Sequence, residues 1–242
     1  MQLGARPSAP AWRFRTEVMP RGLALANAPT HTLRPMITAY VYTTPNGFKA
    51  LIGLEEFALP YEVHWVDITK GEQRTPEYLA INPNNKIPSI TDHDGPNGQP
   101  ITIFESGAIL TYFAEKTGKL LAPSGTDRYA ALEWVFFNIG GPGPMLGQLG
   151  YYMKFAPEKD QKAIDRFQAE AERLFRVLDR RLADVRYLAG EFTIADIANF
   201  TWPNAARTFL GLDLSGHRHL TRWLDELGER PAFVKALAMK KP

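Results

Sequence analysis

The sequence contains no cysteine in its 242 residues. Disulfide bonds therefore do not stabilise the fold, and no thiol of the protein itself can act as a nucleophile. This absence does not fix the cellular compartment. Long apolar runs are missing as well, because no stretch reaches the ~18 residues that a membrane-spanning helix requires. We therefore predict that the chain does not cross a membrane.

The sequence also lacks a strong excess of charge of either sign. Its 28 basic and 26 acidic residues give a formal net charge of +2. This balance provides no electrostatic footprint for nucleic acid, and no basic run marks a membrane-binding surface. Because 45% of the residues are hydrophobic, the chain can build a buried core, and its length allows one large domain or two small ones.

Residues 1–35 differ in composition from the rest of the chain. Five arginines accompany a single acidic residue, Glu17. An arginine-rich, acid-poor segment can be an organelle transit peptide. We expect instead a poorly ordered extension, or a start site placed too early with Met36 as the working start, because disorder concentrates at chain termini.

The segment from residue 36 to residue 119 alternates strand and helix patterns. Runs of β-branched and aromatic residues predict strands over residues 37–43, 61–66, 87–91 and 101–104. Apolar spacing, Pro76 and Ser106 predict helices over residues 48–58, 76–79 and 106–116. The order β-α-β-α-β-β-α requires a parallel crossover first and a hairpin last. We predict a thioredoxin-like α/β domain over residues 36–119.

Every segment beyond the linker at residues 123–126 has a helical pattern. Helices are predicted over residues 128–137, 163–182, 194–210, 220–227 and 232–238. The segment 163–182 is amphipathic, whereas 194–210 is mostly apolar without strand alternation, so it is predicted to be the buried central helix. We predict an all-helical domain over residues 126–242.

The start of that central helix has a capping signature. Thr193 is placed to cap the helix with Asp196 at the third position, and Phe192 and Ile197 occupy the hydrophobic staple positions. We interpret this motif as structural, with no role in chemistry.

A proline stands at the entry to the third predicted strand, in the motif Asn85-Lys86-Ile87-Pro88. In a thioredoxin-like order this position indicates a cis peptide, which would turn the backbone N–H and C=O of Ile87 toward a ligand. An extended peptide could then pair with that backbone like an added strand. The alternative is an ordinary trans proline at a strand edge, which the local sequence alone favours.

The motif Phe104-Glu105-Ser106-Gly107 joins the fourth strand to a helix. Free N–H groups at the helix start, together with the Ser106 hydroxyl, can bind a carboxylate. Glu105 could accept from an ammonium group on the same ligand, as an α-amino acid would require. The alternative is a plain N-cap serine after a surface glutamate.

The motif Thr43-Thr44-Pro45-Asn46-Gly47 lies where the first strand passes into the first helix. A hydroxyl and helix N–H groups at that junction could hydrogen-bond a thiolate and lower its pKa. A simple turn built from turn-forming residues is the alternative.

These motifs in this order resemble the glutathione transferase superfamily over about residues 36–240. The stretches TPNG at residues 44–47 and PNNKIP at residues 83–88 are similar to the bacterial nu class and its fungal nitrogen-regulator-like relatives. The run GGPGPMLGQ at residues 140–148 adds to this resemblance. Such a run within a helical domain is predicted to interrupt the helix. It would also let another backbone segment or a ligand approach the chain closely at this run.

The resemblance implies a role for each matched residue. Thr44 and Asn46 would lie beside the glutathione sulfur as the catalytic residues, because threonine and asparagine stand where better-known branches place tyrosine, serine or cysteine. Tyr40 and Tyr42 are expected to pack instead. The remaining implied glutathione-binding residues are Ile87 for the cysteinyl part, Glu105 and Ser106 for the γ-glutamyl end, Gln73 and Lys86 toward the glycyl end, and Arg166 near a dimer interface. The alternative for Arg166 is a solvated charge on a helix surface.

Three functions remain open at this point. The first is a glutathione-dependent disulfide reductase, in which one bound thiolate attacks a disulfide and a second glutathione resolves the mixed disulfide. The second is a transferase that conjugates glutathione to hydrophobic electrophiles, and the third is a non-catalytic glutathione-binding regulator. Side chains that could line a second-substrate pocket, or equally belong to the core, are Phe136, Leu149, Tyr151, Tyr152 and Phe209.

The resemblance also implies the surroundings of the reaction. Glutathione would be the sulfur-bearing substrate, acting on a small disulfide or an electrophile, with no metal. We expect a cytoplasmic homodimer that binds neither nucleic acid nor membrane.

Overall fold

The computed structural model describes residues 36–241, so the extension expected over residues 1–35 lies outside the described part of the chain. The strands are β1 (Ile37–Val41), β2 (Tyr61–Trp65), β3 (Ser89–Asp92) and β4 (Ile101–Phe104). The helices between and directly after them are α1 (Pro45–Glu56), α2 (Pro76–Ile81) and α3 (Ser106–Thr117). The later helices are α4 (Gly125–Gly140), α5 (Pro142–Lys154), α6 (Gln161–Asp184), α7 (Ile194–Ala205), α8 (Arg218–Gly228) and α9 (Pro231–Leu237).

The four strands form one mixed sheet in the order β2-β1-β3-β4. Ala39 of β1 pairs with Val63 in parallel and with Ile90 antiparallel, and Ile90 pairs with Ile103 of the last strand. The predicted crossover and the predicted final hairpin are therefore confirmed. Ala39 and Ile90 have no exposed surface, because helices cover the central strands. This is the thioredoxin-like arrangement, and an all-helical domain follows it.

Strand β3 begins two residues later than the pattern predicts. The ladder with β1 and β4 starts at Ser89 rather than at Ile87. Pro88 has no N–H to contribute to a sheet ladder, so regular pairing begins after it. The Ile87–Pro88 peptide bond is cis, and the backbone of Ile87 stays outside the sheet.

Helix α7 is the buried centre of the helical part. Thr193 and Asp196 form the predicted capping box, in which Asp196 accepts from the Thr193 backbone N–H at 3.0 Å. Asp196 also accepts from the Leu188 backbone N–H and from Trp223 Nε1, both at 3.0 Å. Burial raises the pKa of the Asp196 carboxyl to about 6, against the lowering effect of these donors. The motif stabilises the fold, as we predict.

The helical part departs from the predicted elements at two places. Helix α5 begins at Pro142, directly after α4 ends at Gly140. The sequence pattern does not predict this helix, because the segment is rich in glycine and proline. The predicted central helix over 194–210 ends at Ala205 and continues as a π-helical turn over Ala206–Leu210. Pro203 lies two residues before this change and lacks the N–H that a regular helix uses.

Helix α1 connects the two parts of the fold. It packs on the sheet and on α3, and it also contacts α7 and α9 of the helical part. Its first turn lies beside α7, because Asn46 in that turn accepts a hydrogen bond from Trp202. The domain division that we place between residues 119 and 126 stays a prediction. Among residues 36–241, no helix is both long and apolar enough to span a membrane.

Candidate functional site

A cavity of about 500 Å³ opens at the first turn of α1, between the sheet and the helical part. Thr44, Asn46 and Gln73 line it from the first half of the thioredoxin-like domain, and Gly143, Gly147 and Trp202 line it from the helical part. The structure brings together every sequence-predicted site residue except Arg166. Those lining the cavity are Thr44, Asn46, Gln73, Lys86, Ile87, Pro88, Glu105 and Ser106.

Thr44 is the N-cap of α1. Its hydroxyl accepts a hydrogen bond from the Gly47 backbone N–H at 3.2 Å, and its own proton is left to donate toward the cavity. Pro45 occupies the first helical turn, where its missing N–H costs nothing. At Gly47 an added Cβ would lie 2.0 Å from the carbonyl oxygen of Tyr42, so only glycine fits this close turn.

The side chain of Asn46 is fixed in one orientation. Its Oδ1 accepts from Trp202 Nε1 at 2.9 Å and from Lys49 Nζ at 3.1 Å. Because the indole N–H can only donate, Oδ1 faces the indole and the Nδ2 group is free to donate elsewhere. The amide of Asn46 is therefore a preorganised donor in the wall of the cavity.

Lys49 lies beside Asn46 at the inner end of the cavity and is 1% exposed. Its Nζ is 3.1 Å from Asn46 Oδ1 and 2.5 Å from Asn138 Oδ1. Burial lowers the pKa of Lys49 from 10.5 to about 7, and the negative charge of Glu105 acts in the opposite direction. A lysine in this setting changes its charge near neutral pH.

The segment before β3 presents its backbone to the cavity. Tyr78 Oη and Asn82 Nδ2 both donate to the carbonyl oxygen of Lys86, at 2.7 Å and 2.6 Å. These bonds hold the turn that leads into Ile87 and Pro88. Among residues 36–241, the backbone N–H and C=O of Ile87 have no hydrogen-bond partner, so both groups are available to an extended ligand.

The start of α3 forms the opposite wall. Glu105 has a φ of 71°, a conformation that costs roughly 1–2 kcal/mol for a residue with a Cβ. Such a backbone outlier often marks a functional site. No side chain caps the helix here, so the N–H groups of Ser106 and Gly107 remain available to an anion. Asn84 Nδ2 lies 3.5 Å from Glu105 Oε1.

Gln73 and Lys86 lie at the outer end of the cavity. Gln73 Nε2 is 3.5 Å from the carbonyl oxygen of Ile68, whereas Gln73 Oε1 is buried with no partner within residues 36–241. Lys86 is exposed. The structure places Arg166 elsewhere: it is an exposed residue of α6 and does not line this cavity.

A second, more apolar cavity of about 460 Å³ adjoins the first and shares Thr44, Gly147 and Trp202 with it. Tyr151 and Phe209 line this second cavity. The other three side chains that the sequence proposes for a second-substrate pocket lie outside its lining. Phe136 is exposed, Leu149 is buried in the core, and Tyr152 stacks on Phe167.

The structure confirms that the ring of Tyr40 packs, against His64 and Tyr78 at centroid distances of 5.2 Å and 6.3 Å. Tyr42 is half-buried on the same segment, and neither tyrosine lines the cavity. Within residues 36–241, no group of three or more histidine, aspartate or glutamate side chains could hold a metal ion. The chemistry of the cavity walls is that of hydroxyl, amide, carboxylate and lysine groups.

Two known protein families match this chain. The family described as Glutathione S-transferase, N-terminal domain, matches residues 43–116. The family described as Glutathione S-transferase, C-terminal domain, matches residues 143–231. The chain belongs to the glutathione S-transferase superfamily.

Individual relatives place the chain within this superfamily. Disulfide-bond oxidoreductase YfcG of Escherichia coli (strain K12) is 46% identical over 204 residues, which cover 84% of this chain and 94% of the relative. A glutathione transferase from Burkholderia graminis, solved with two glutathione molecules bound per subunit, is 43% identical with a TM-score of 0.82, covering 86% of this chain and 89% of that one.

A fungal structure extends the comparison. The glutathione transferase URE2P6 from Phanerochaete chrysosporium, solved in complex with oxidized glutathione, is 35% identical with a TM-score of 0.78, and the match covers 84% of this chain and 94% of that one. The chain is thus close both to bacterial disulfide-bond oxidoreductases and to Ure2-like transferases. The resemblance stated from the sequence motifs is confirmed.

Lys49, Asn138 and Trp202 are among the polar residues of this glutathione S-transferase cavity that are not predicted as site residues from the sequence. One signal for Lys49 was present, since it lies three residues before the buried Ile52 and so shares the inner face of α1. Asn138 and Trp202 give no such signal, because their contacts join residues 89 and 156 positions apart.

Proposed function

We propose that this chain is a glutathione-dependent disulfide-bond oxidoreductase that uses the thiol of bound glutathione to reduce small disulfides. One observation carries the proposal: a strand-to-helix junction with a hydroxyl, an oriented amide and a buried lysine faces a cavity, in a chain that has no cysteine. Donors of this kind suit a thiolate, and the thiolate has to come from the ligand.

Glutathione is proposed to lie along the cavity with its γ-glutamyl end at α3. Its α-carboxylate would accept from the free N–H groups of Ser106 and Gly107, while its ammonium group would donate to Glu105. The cysteinyl part would pair with the unpartnered backbone of Ile87. Gln73 and Lys86, at the outer end, would bind the glycyl carboxylate.

The sulfur would then lie beside Thr44 and Asn46. The thiolate attacks one sulfur of the substrate disulfide, forming a new S–S bond while the old one breaks and one thiolate leaves. The thiolate of a second glutathione attacks the glutathione sulfur of this mixed disulfide, releasing the other half of the substrate and oxidised glutathione. The protein contributes orientation and stabilisation of the thiolate.

The relatives support this chemistry. YfcG is named a disulfide-bond oxidoreductase, the Burkholderia graminis protein holds two glutathione molecules per subunit, and URE2P6 holds oxidized glutathione. A reaction that consumes two glutathione molecules and yields oxidised glutathione calls for a site with room for both.

A second candidate function is conjugation of glutathione to hydrophobic electrophiles. The apolar cavity beside Thr44, lined by Tyr151 and Phe209, favours it. Both activities would use the same thiolate and would differ only in what occupies this neighbouring cavity.

Two assays with glutathione separate the candidates: reduction of 2-hydroxyethyl disulfide and conjugation of chlorodinitrobenzene. Strong disulfide turnover with weak conjugation supports the oxidoreductase, and the reverse pattern supports the transferase. Glutathione binding without either turnover indicates a non-catalytic binding protein. If well-folded protein binds neither reduced nor oxidised glutathione in a calorimetric titration, all three functions fail.

We also propose that the protein is a cytoplasmic homodimer. Arg166 is exposed on α6 and does not line the cavity of its own chain, so a contact between Arg166 and glutathione would require a second subunit. Light scattering tests the dimer. Arg166→Ala is then expected to weaken glutathione binding, and an unchanged affinity in a dimeric protein would remove Arg166 from the site.

A further inference from the structure

Lys49 is an ionisable group buried in the wall of the cavity without an acidic partner. Its side chain is 1% exposed, and within residues 36–241 no carboxylate forms a salt bridge with it. Burying a lysine is costly unless it is neutral or paired. The sequence and the proposed binding of glutathione leave this residue without a role.

The two hydrogen bonds that Lys49 donates can both be made by a neutral amine, which keeps its lone pair. A neutral amine has two N–H groups and one lone pair, and the structure offers two amide oxygens as acceptors, Asn46 Oδ1 and Asn138 Oδ1. The orientation of Asn46 is secured by the indole of Trp202, so its oxygen is an acceptor and Lys49 has to donate to it. With both N–H groups engaged, the lone pair remains free to accept a proton.

The charged groups near Lys49 are few. Glu105, at the start of α3, acts on it through space and favours the protonated form. Helix α4 presents the amide of Asn138, and α7 presents the indole of Trp202. The cations of α9 lie at the other end of α1, where Arg230 pairs with Glu56 and Lys235 with Glu55.

We propose that Lys49 is the proton acceptor for the thiol of glutathione. This role rests on the proposed function, because it places the glutathione sulfur beside Asn46, whose Oδ1 is 3.1 Å from Lys49 Nζ. In the step, the S–H bond breaks and an N–H bond forms at Nζ, which leaves a thiolate next to an ammonium group. After the thiolate has attacked the disulfide, the ammonium group returns the proton to the departing thiolate, and Lys49 is neutral again.

The cavity, rather than the two isolated groups, has to drive this transfer. An ordinary cysteine thiol has a pKa of ~8.5, which is higher than the pKa of about 7 to which burial lowers Lys49, so the isolated groups would leave the proton on sulfur. Inside a cavity of low dielectric, an ammonium–thiolate pair attracts more strongly than the same pair in water. Thr44 and Asn46 Nδ2 would donate to the same sulfur, so the transferred state gains hydrogen bonds that the neutral thiol lacks.

A proton inventory on the unmodified protein tests the proposal. Glutathione binding is measured calorimetrically at about pH 8, where a lysine with this pKa is mostly neutral, in buffers with different ionisation enthalpies. Ultraviolet absorbance gives the fraction of thiolate formed, and S-methylglutathione, which has no thiol proton, provides the baseline. We expect thiolate to form with far less than one proton released per site. Release of about one proton per thiolate would overturn the proposal.

Variants provide the second arm. Lys49→Met is expected to lower kcat/KM at pH 7 by about 100-fold and to raise proton release to about one per thiolate formed. Lys49→Arg, which keeps a cation but cannot accept a proton near neutral pH, should resemble Lys49→Met in the proton count. Lys119→Met, at an exposed lysine, is the matched control and should change neither quantity.

The outcomes separate this inference from the proposed function. If the unmodified protein binds glutathione and reduces 2-hydroxyethyl disulfide but releases a full proton, Lys49 is not the acceptor and the proposed function stands. If Lys49→Met keeps both the thiolate fraction and the proton count, the inference also fails. Absence of glutathione binding would end both. Should Lys49→Met not fold, the inventory on the unmodified protein still decides.

Discussion

Helices α1 and α7 start in the same way, but their first turns have different roles. Each begins with a threonine N-cap, Thr44 or Thr193, and each buries an ionisable side chain a few residues later, Lys49 or Asp196. At α7 the carboxylate accepts from three donors and closes a reciprocal capping box. At α1 the threonine hydroxyl keeps a free proton and the lysine faces a cavity.

The difference shows how a buried charge can be assigned a role. Asp196 has its hydrogen bonds filled from within the protein, so its burial is explained by the structure that it stabilises. Lys49 contacts two amide oxygens and belongs to the lining of the cavity, so a ligand there can supply it with a further partner. Variants at the two helix starts test this difference between Asp196 and Lys49.

Asp196→Ala is expected to have the largest effect, and the effect should be on stability. Three N–H donors, two of them fully buried, would lose their acceptor, and each unsatisfied buried group costs roughly 1–3 kcal/mol. We therefore expect the free energy of unfolding to fall by about 3 kcal/mol or more in urea denaturation. Asp184→Ala, at an exposed aspartate, should change it by less than about 0.5 kcal/mol. A small loss for Asp196→Ala would contradict the structural role of the motif.

Thr44→Ala combined with Asn46→Ala should remove the proposed catalytic function of the first turn of α1. Both donors proposed for the thiolate disappear, so kcat for disulfide reduction is expected to fall by about 100-fold, with a much smaller loss of glutathione affinity. Steady-state kinetics and calorimetry measure the two effects. Thr126→Ala, at an exposed threonine in the first turn of α4, is the control. Equal losses in turnover and in binding would argue against a thiolate role.

The pH dependence of stability sharpens the contrast between the two buried charges. Burial lowers the pKa of Lys49 in the folded protein from 10.5 to about 7. Between these values the unfolded chain binds more protons, so this group makes the free energy of unfolding rise with pH. The stability of the unmodified protein relative to Lys49→Met should therefore grow by about 2 kcal/mol between about pH 7 and pH 9.

Asp196 should produce the opposite slope in a lower pH range. Burial raises its pKa from 3.8 to about 6, so between these values the folded protein binds more protons and this group makes stability fall as pH rises. Urea denaturation of the unmodified protein, of Lys49→Met and of Asp196→Ala across both ranges isolates the two slopes, because each variant lacks one of the two groups. If the two proteins keep a constant difference above pH 7, Lys49 is not buried in the neutral form.

Trp202→Phe should have the smallest effect. The ring would still pack against Gly147, where an added Cβ would lie 3.3 Å from the indole, but Asn46 would lose one of the two bonds that fix its amide. One neutral hydrogen bond contributes about 1 kcal/mol, so a loss of about fivefold in kcat/KM is expected. Trp134→Phe is a matched control, because Trp134 Nε1 has no partner within residues 36–241.

Much of this fold can be predicted from local sequence because local chemistry sets it. Strand β4 has its predicted bounds, and α3 ends where Gly118 adopts a left-handed conformation with a φ of 67°. Helix α5 could not be predicted, since glycine and proline normally disfavour helix, and here Pro142 occupies the first turn while packing against neighbouring helices supports the rest.

The site, like the fold, has residues that the sequence predicts and residues that it does not. The motifs around Thr44, Ile87 and Glu105 lie at strand–helix junctions that the order of elements brings together, so the sequence suffices to predict that they share a cavity. For Lys49 the sequence offers only its position three residues before the buried Ile52, which places it on the inner face of α1. The burial of its charged end depends on α4, which supplies Asn138, and is a tertiary property that the local sequence does not show.

Trp202 gives the protein its own optical reporter. The indole belongs to both cavities and is joined to Asn46 by a hydrogen bond, and its emission responds to the polarity and hydration around the ring. Filling either cavity should therefore shift the fluorescence of this tryptophan without any label, and Trp202→Phe should abolish that signal where Trp134→Phe preserves it. A titration read in this way follows the arrival of a thiol donor and of an aromatic acceptor in one sample.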